Sequence, residues 1–258
     1  MSDFLDVLAC DAKATIDSGY YQYLKSTKQH QVSLKKAILE CRANPVITEI
    51  KAASPSLGTI RGSINPTEIA IAMEKGGAVG ISVLTEPKHF NGSWQALVEA
   101  REVVKLPILM KDIVISTKQM EAASQIGANA VLLITALFDR GYGEIGIDGM
   151  IAFAHAKGLE VLLETHTEEE FRSAIKTDAD LIGINNRNLG TLKIDLNTTK
   201  EILKRNNNCG KMVISESGIK TPADLRFLRQ CGAKAFLIGS SIMLTENIEK
   251  KVKEFVEA

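Results

Sequence analysis

Pro45-Val46-Ile47-Thr48-Glu49-Ile50-Lys51, followed by Ala52-Ala53-Ser54-Pro55-Ser56-Leu57-Gly58, is a short apolar run with two opposite charges near its end. An extended strand points successive side chains to opposite faces, so Glu49 and Lys51 share one face and Ile50 takes the other. On an exposed strand this is an ordinary ion pair. On an interior strand it puts two charges into a protected space, which is costly unless they pair or do chemistry. The same kind of strand ending recurs along the chain, and the recurrence favours the interior reading.

Eight such runs follow at fairly even intervals: Val46–Lys51, Val79–Thr85, Pro107–Lys111, Ala130–Thr135, Leu159–Glu164, Leu181–Asn185, Met212–Glu216 and Ala235–Gly239. Rich in Val, Ile and Leu and mostly without polar alternation, they read as strands buried on both faces. Helix signals lie between them. Asn65-Pro66-Thr67-Glu68, Ser116-Thr117-Lys118-Gln119, Thr167-Glu168-Glu169-Glu170 and Thr221-Pro222-Ala223-Asp224 all combine a capping side chain with a suitable first turn. Strand and helix repeated eight times predict a parallel sheet closed into a single (β/α)8 TIM barrel of the α/β class, for which about 250 residues is the usual size.

Gly77-Ala78, Gly127-Ala128 and Gly232-Ala233, with Asp178-Ala179 at the equivalent place, mark the even-numbered strands as an internal repeat. The odd strands then end in Lys51, Lys111, Glu164 and Glu216, whose charges would gather at the C-terminal mouth where this fold does chemistry. Residues 1–45 do not fit a strand–helix unit. Phe4, Leu5, Val7 and Leu8, and later Leu34, Ala37, Ile38 and Cys41, have helical spacing. They predict an amino-terminal helical extension packed at one end of the barrel, within one domain spanning 1–258.

The bulk properties exclude little else. Among 258 residues, 31 basic and 31 acidic side chains cancel, so net charge points to neither nucleic acid nor an anionic membrane. Cys10, Cys41, Cys209 and Cys231 are scattered, with neither metal-ligand spacing nor a disulfide framework, and no apolar run approaches the roughly 18 residues of a membrane span. The start of the chain lacks the pattern of a signal peptide. A cytoplasmic protein without metal is expected.

Each candidate residue has a plainer reading beside the chemical one. Lys111 at a barrel mouth, near other cations and apolar walls, is a lysine whose pKa can fall far enough for acid catalysis, or else one that snorkels to solvent. Glu164 would face it as base or as charge partner, or serve structurally. In Asn185-Asn186-Arg187-Asn188, Asn185 suits hydroxyl recognition and Arg187 a carboxylate, whereas Asn186 and Asn188 read as turn residues. Ser217-Gly218 and Gly239-Ser240-Ser241 follow strands seven and eight, the two loops that build the phosphate site of many barrels. Gly141-Tyr142-Gly143-Glu144-Ile145-Gly146 has dinucleotide-type glycine spacing but starts several residues after its strand, so it reads as a loop.

Glu49-Ile50-Lys51 with Ser54-Pro55-Ser56 and Gly58, Ser82-Val83-Leu84-Thr85-Glu86 with Phe90-Asn91-Gly92-Ser93, and Lys111-Asp112 together resemble indole-3-glycerol phosphate synthase. So do Glu164-Thr165-His166, Gly183-Ile184-Asn185-Asn186-Arg187-Asn188-Leu189, Glu216-Ser217-Gly218-Ile219 and Ile238-Gly239-Ser240, in the family's order. The resemblance implies a carboxy-lyase of tryptophan biosynthesis, working without cofactor. It closes the pyrrole ring of 1-(2-carboxyphenylamino)-1-deoxyribulose 5-phosphate and releases carbon dioxide and water. It implies Lys111 as general acid and Glu164 as its partner carboxylate. Lys51 and Glu49 match the pair for carboxylate binding and dehydration, and Asn185 would meet sugar hydroxyls. Arg187 would hold the acidic cluster, and Ser217 lines the mouth. Ser54, Gly218, Gly239 and Ser240 match phosphate contacts, while Leu132, Leu237 and Ile113 line the aromatic pocket.

Two departures stand out. Ile113 occupies a position the family commonly fills with an aromatic residue, and the Gly-rich stretch 138–149 is longer than the family's usual connection. The alternatives are another phosphate-binding barrel enzyme, such as a Schiff-base aldolase using Lys111, or a non-catalytic phosphometabolite-binding barrel. The expected partner is a phosphorylated small molecule, and the expected state a monomer or weak homodimer.

Overall fold

The eight apolar runs form the eight strands of one closed parallel barrel in the computed structural model, which describes residues 3–258 other than 23, 25, 28–29, 55–57, 60–64 and 207–209, with backbone alone at Ser54 and Thr59. The barrel strands are β1 (Val46–Ile50), β2 (Gly80–Leu84), β3 (Ile108–Lys111), β4 (Ala130–Ile134), β5 (Glu160–Thr165), β6 (Leu181–Asn185), β7 (Val213–Glu216) and β8 (Ala235–Ile238). Each pairs with its sequence neighbours, and β8 returns to β1. β1, β2, β4, β6, β7 and β8 are buried at every position, since side chains face either the barrel interior or the helical layer. A two-residue ribbon pairs Ala53–Ser54 with Gly58–Thr59 just after β1.

The predicted capping residues start the outer helices. Asn65 caps Pro66–Lys75 and Thr167 caps Glu168–Ala174, while Ser116 with Gln119 and Thr221 with Asp224 form reciprocal capping boxes. Each satisfies backbone N–H groups that a helix start leaves unpaired. No helix among the described residues is long and apolar enough to cross a membrane.

The amino-terminal helices depart from expectation by lying at opposite ends. Ser33 and the N–H groups of Leu34 and Lys35 donate to Glu160, the first residue of β5, so helix Leu34–Glu40 sits at the barrel bottom. Leu34 also packs where a side chain on Gly80, the first residue of β2, would otherwise go. Helix Phe4–Asp17 instead reaches the mouth, where Phe4 and Leu8 face the cavity. Helical spacing shows which face a helix buries, not which barrel end receives it.

Candidate active site

The register places Lys111 beside Leu84, Glu164 beside Ile134, and Glu216 beside Asn185 at the C-terminal ends of their strands. The side chains converge on a cavity of about 730 Å³, a size suited to a small organic ligand. Lys111 Nζ lies 3.3 Å from Glu164 Oε2 and 3.9 Å from Glu216 Oε2, and Lys51 Nζ lies 2.8 Å from Glu49 Oε1. Asn185 Nδ2 donates to Glu164 Oε1 at 2.9 Å and its Oδ1 accepts the Arg187 N–H, so this amide orients the carboxylate as well as lining the cavity.

Glycines make room for these charges. A Cβ on Gly183 would collide with Glu216 Oε1, and one on Gly239 would lie 2.5 Å from Glu49 Oε1 and 2.9 Å from Lys51 Nζ. Any side chain at either position would displace the charged group beside it.

The electrostatics correct one expectation. Burial opposes the Lys111 charge, but Glu164, Glu216 and Glu49 outweigh it and hold the ammonium above the ordinary lysine range. The expected lowering by nearby cations does not occur; Glu164 faces Lys111 as its expected charge partner, and with Glu216 and Glu49 it makes Lys111 a firmly charged group. Burial also opposes ionisation of Glu49, yet Lys51, Lys111 and Arg187 more than offset it and leave that carboxyl below its usual range. Glu216 goes the other way. Burial and repulsion by Glu164 and Glu49, only partly offset by Lys111, push it well above the usual carboxylate range. Neither of its oxygens receives a hydrogen bond.

Arg187, expected to hold the acidic cluster, acts on it through Glu49 without a direct ion pair. No carboxylate among the described residues lies within ion-pair distance of it, and its buried Nη1 has no hydrogen-bond partner. It acts on Glu49 only at longer range. Asn186, expected as a turn residue, is instead a buried cross-link: its amide donates to Ser215, Glu216 and Ser217 and accepts from Thr199, bolting the β6 loop to β7.

Ser217 and Gly218, with φ of 66° and 83°, turn the chain sharply after β7, and both face the cavity with Gly239, Ser240 and Ser241 after β8. Leu132, Leu237 and Ile113 line the apolar side. Phe4 and Phe90 add aromatic surface to the cavity lining. Ser54, predicted as a phosphate contact, has its side chain outside the described residues. Glu216 is legible in the sequence as an odd strand end, without a role attached to it. Phe4, Leu8 and Asp112 line the cavity with no such signal. The signal for Glu216 was present, since it ends β7 as Lys111 ends β3.

The family model for indole-3-glycerol phosphate synthase matches residues 8–255. The indole-3-glycerol phosphate synthase of Methanocaldococcus jannaschii is 46% identical over 237 residues, covering 89% of this chain and 85% of that protein. The one from Aquifex aeolicus is 41% identical over 223 residues, covering 86% and 84%. Among solved structures, a thiamine phosphate pyrophosphorylase from Pyrococcus furiosus aligns with a TM-score of 0.61 at 16% identity, over 86% of this chain and 96% of that one. An N-acetylmannosamine-6-phosphate 2-epimerase from Clostridium perfringens aligns with a TM-score of 0.63 at 20% identity, over 88% and 97%. At such identity these two likenesses concern the fold alone.

Proposed function

The chain belongs to the indole-3-glycerol phosphate synthase family, and on that premise we propose that the charges at the barrel mouth carry out its reaction. The activity is that of an indole-3-glycerol phosphate synthase, a carboxy-lyase of tryptophan biosynthesis. It converts 1-(2-carboxyphenylamino)-1-deoxyribulose 5-phosphate to indole-3-glycerol phosphate.

The observation that carries the assignment of roles is the convergence of Lys111 on Glu164 and Glu216 over one cavity. Attack of the ring carbon on the ribulose carbonyl builds negative charge on the oxygen, which the Lys111 ammonium stabilises and then protonates. With its pKa held high, Lys111 gives up that proton only as the oxygen becomes strongly basic. Loss of carbon dioxide returns the bonding electrons to the ring. Dehydration then takes an acid at the leaving hydroxyl and a base at the remaining proton, supplied from Glu164, Lys51 and Glu49. Glu216, which burial and Glu164 favour in its protonated form, is a further proton carrier beside Lys111.

Binding follows from the remaining groups. The substrate carries a carboxylate and a phosphate, and the buried, unpartnered Nη1 of Arg187 is a cation left for an anion. Lys51 beside Glu49 serves the carboxylate. Ser54, Gly218, Gly239 and Ser240, with Ser217 at the turn, serve the phosphate through small-residue loops that allow close approach. Leu132, Leu237 and Ile113 hold the aromatic ring, and Asn185 meets the sugar hydroxyls. These proton transfers need no cofactor. We place the enzyme in the cytoplasm, as a monomer or weak homodimer in which residues 1–45 belong to the barrel domain.

The test is to add the carboxyphenylamino substrate and follow indole fluorescence. Lys111→Ala should lower kcat by a factor of about 10³ or more in a variant that still unfolds as one cooperative unit, at a lower midpoint because Glu164 and Glu216 lose their cation. Turnover close to wild type would remove Lys111 from the mechanism. A Schiff-base route needs Lys111 neutral, the form its carboxylate neighbours disfavour. Borohydride added during turnover should therefore trap no lysine adduct.

A further inference from the structure

The Gly-rich stretch after β4, which the chemistry above leaves unused, is tied to the wall of the cavity. Helix Thr135–Asp139 ends in a Schellman motif: the Tyr142 N–H donates to the Leu137 carbonyl and the Gly141 N–H to the Phe138 carbonyl, with Gly141 at φ 74°. A Cβ on Gly143 would lie 2.5 Å from the Phe138 ring, so the chain doubles back tightly there. Beyond it, Glu144 accepts from Ser116 and Thr117 at the start of helix Thr117–Gln125, which precedes β4, anchoring the turn at its far end.

This rigid turn aims two side chains at the first turn of helix Phe4–Asp17. Arg140 Nη1 donates to Asp3 Oδ1 at 2.8 Å and to Asp6 Oδ1 at 2.7 Å, and its Nη2 to Asp3 Oδ2 at 2.9 Å. Tyr142 Oη donates to Asp6 Oδ1 at 3.0 Å. Asp3 and Asp6 are also the two halves of that helix's capping box, so the contact grips the helix where its backbone is already fixed. From the segment after β2, Lys88 and His89 both reach Asp11 at 2.8 Å.

We propose that the Arg140–Tyr142 turn is a clasp that sets helix Phe4–Asp17 as the outer wall of the substrate cavity, making Arg140 a positioning residue for the apolar end of the substrate. Phe4 and Leu8 face the cavity from this helix, and the proposal rests on the catalytic reading above for what fills it. Arg140 itself touches no reacting atom. Its loss lowers the fraction of molecules with the wall in place, which weakens apparent affinity by that fraction and leaves the chemical step alone.

The expected result for Arg140→Ala is a KM for the carboxyphenylamino substrate raised about tenfold, the combined effect of two exposed ion pairs and one hydrogen bond. kcat should stay within about twofold and the unfolding midpoint should hold, since such pairs contribute little to global stability. Arg140→Lys should recover part of the loss. Asp3→Asn with Asp6→Asn keeps a capping residue but removes the charges, and should raise KM similarly, with no further rise on adding Arg140→Ala. Amide hydrogen exchange over residues 4–17 should quicken in Arg140→Ala. Unchanged KM and exchange, or effects of the two sets that simply add, would overturn the clasp. Absence of turnover in the unaltered enzyme would instead count against the catalytic reading, and hydrogen exchange alone would then decide on the clasp.

Discussion

Glu216 shows most plainly that the site is built at a cost to stability. It is buried, receives no hydrogen bond, and stands against Glu164 with Lys111 at 3.9 Å as its nearest relief. A buried carboxylate so placed is destabilising when ionised, and the protein responds by raising its pKa. Glu216→Gln removes the charge and keeps the shape. We expect stability to rise by about 1–2 kcal/mol near neutral pH, a shift in Tm of a few degrees for a chain of this length. The sign follows from linkage. A carboxyl with a raised folded-state pKa contributes most at low pH and loses that contribution as pH rises, so the advantage of Glu216→Gln should grow with pH. Thermal melts at several pH values check this, and an advantage that shrinks with pH would contradict it. Turnover should fall in the same variant. Sequence alone showed Glu216 at an odd strand end; its missing partners appear only once β5 and β7 close over Gly183.

At the scale of elements, the two amino-terminal helices divide the labour of the barrel's two ends. Helix Phe4–Asp17 closes the mouth, whereas helix Leu34–Glu40 is held at the bottom by Glu160, which takes its first backbone N–H groups and the Ser33 hydroxyl. A carboxylate at that helix start also meets the positive end of the helix dipole. Glu160→Ala should therefore destabilise the protein by about 1–2 kcal/mol in urea unfolding while kcat/KM stays within about twofold. A large loss of activity without loss of stability would show that this helix does more than seal the barrel. Both helices were legible from their spacing. Their separation was not, because it depends on Asp3, Asp6 and Glu160 meeting partners far along the chain.

Over the whole molecule, one buried network links the connecting segment between those helices to the catalytic strand. Tyr21 and Thr85 donate to Asp112 Oδ2, and the Ile113 N–H donates to Asp112 Oδ1, immediately after Lys111. Burial raises the Asp112 carboxyl to about 6, with hydrogen bonds from Thr85, Tyr21 and Ile113 restraining the rise. Its stabilising contribution is thus complete below about pH 4 and is lost as pH rises through 6. Relative to wild type, Asp112→Asn should gain about 2–3 kcal/mol between about pH 4 and about pH 7, read from denaturant midpoints across the window. A constant difference would remove Asp112 as the titrating group. The sequence by itself determined the eight strands, the capped helices and the barrel, because buried apolar runs and helix caps are local patterns repeated eight times. It also determined the charged strand ends, since a Lys or Glu closing an apolar run is visible without a partner. Only the tertiary structure decided that Lys111 is held strongly charged, that Arg187 acts on Glu49 from beyond ion-pair distance, and which end each early helix covers. The clasp of Arg140 on Asp3 and Asp6 belongs with these. All of them depend on distances between residues remote in sequence. Glu49 and Lys51 paired at 2.8 Å join Lys111, Glu164 and Glu216 only because the closed barrel brings its odd strands to one mouth.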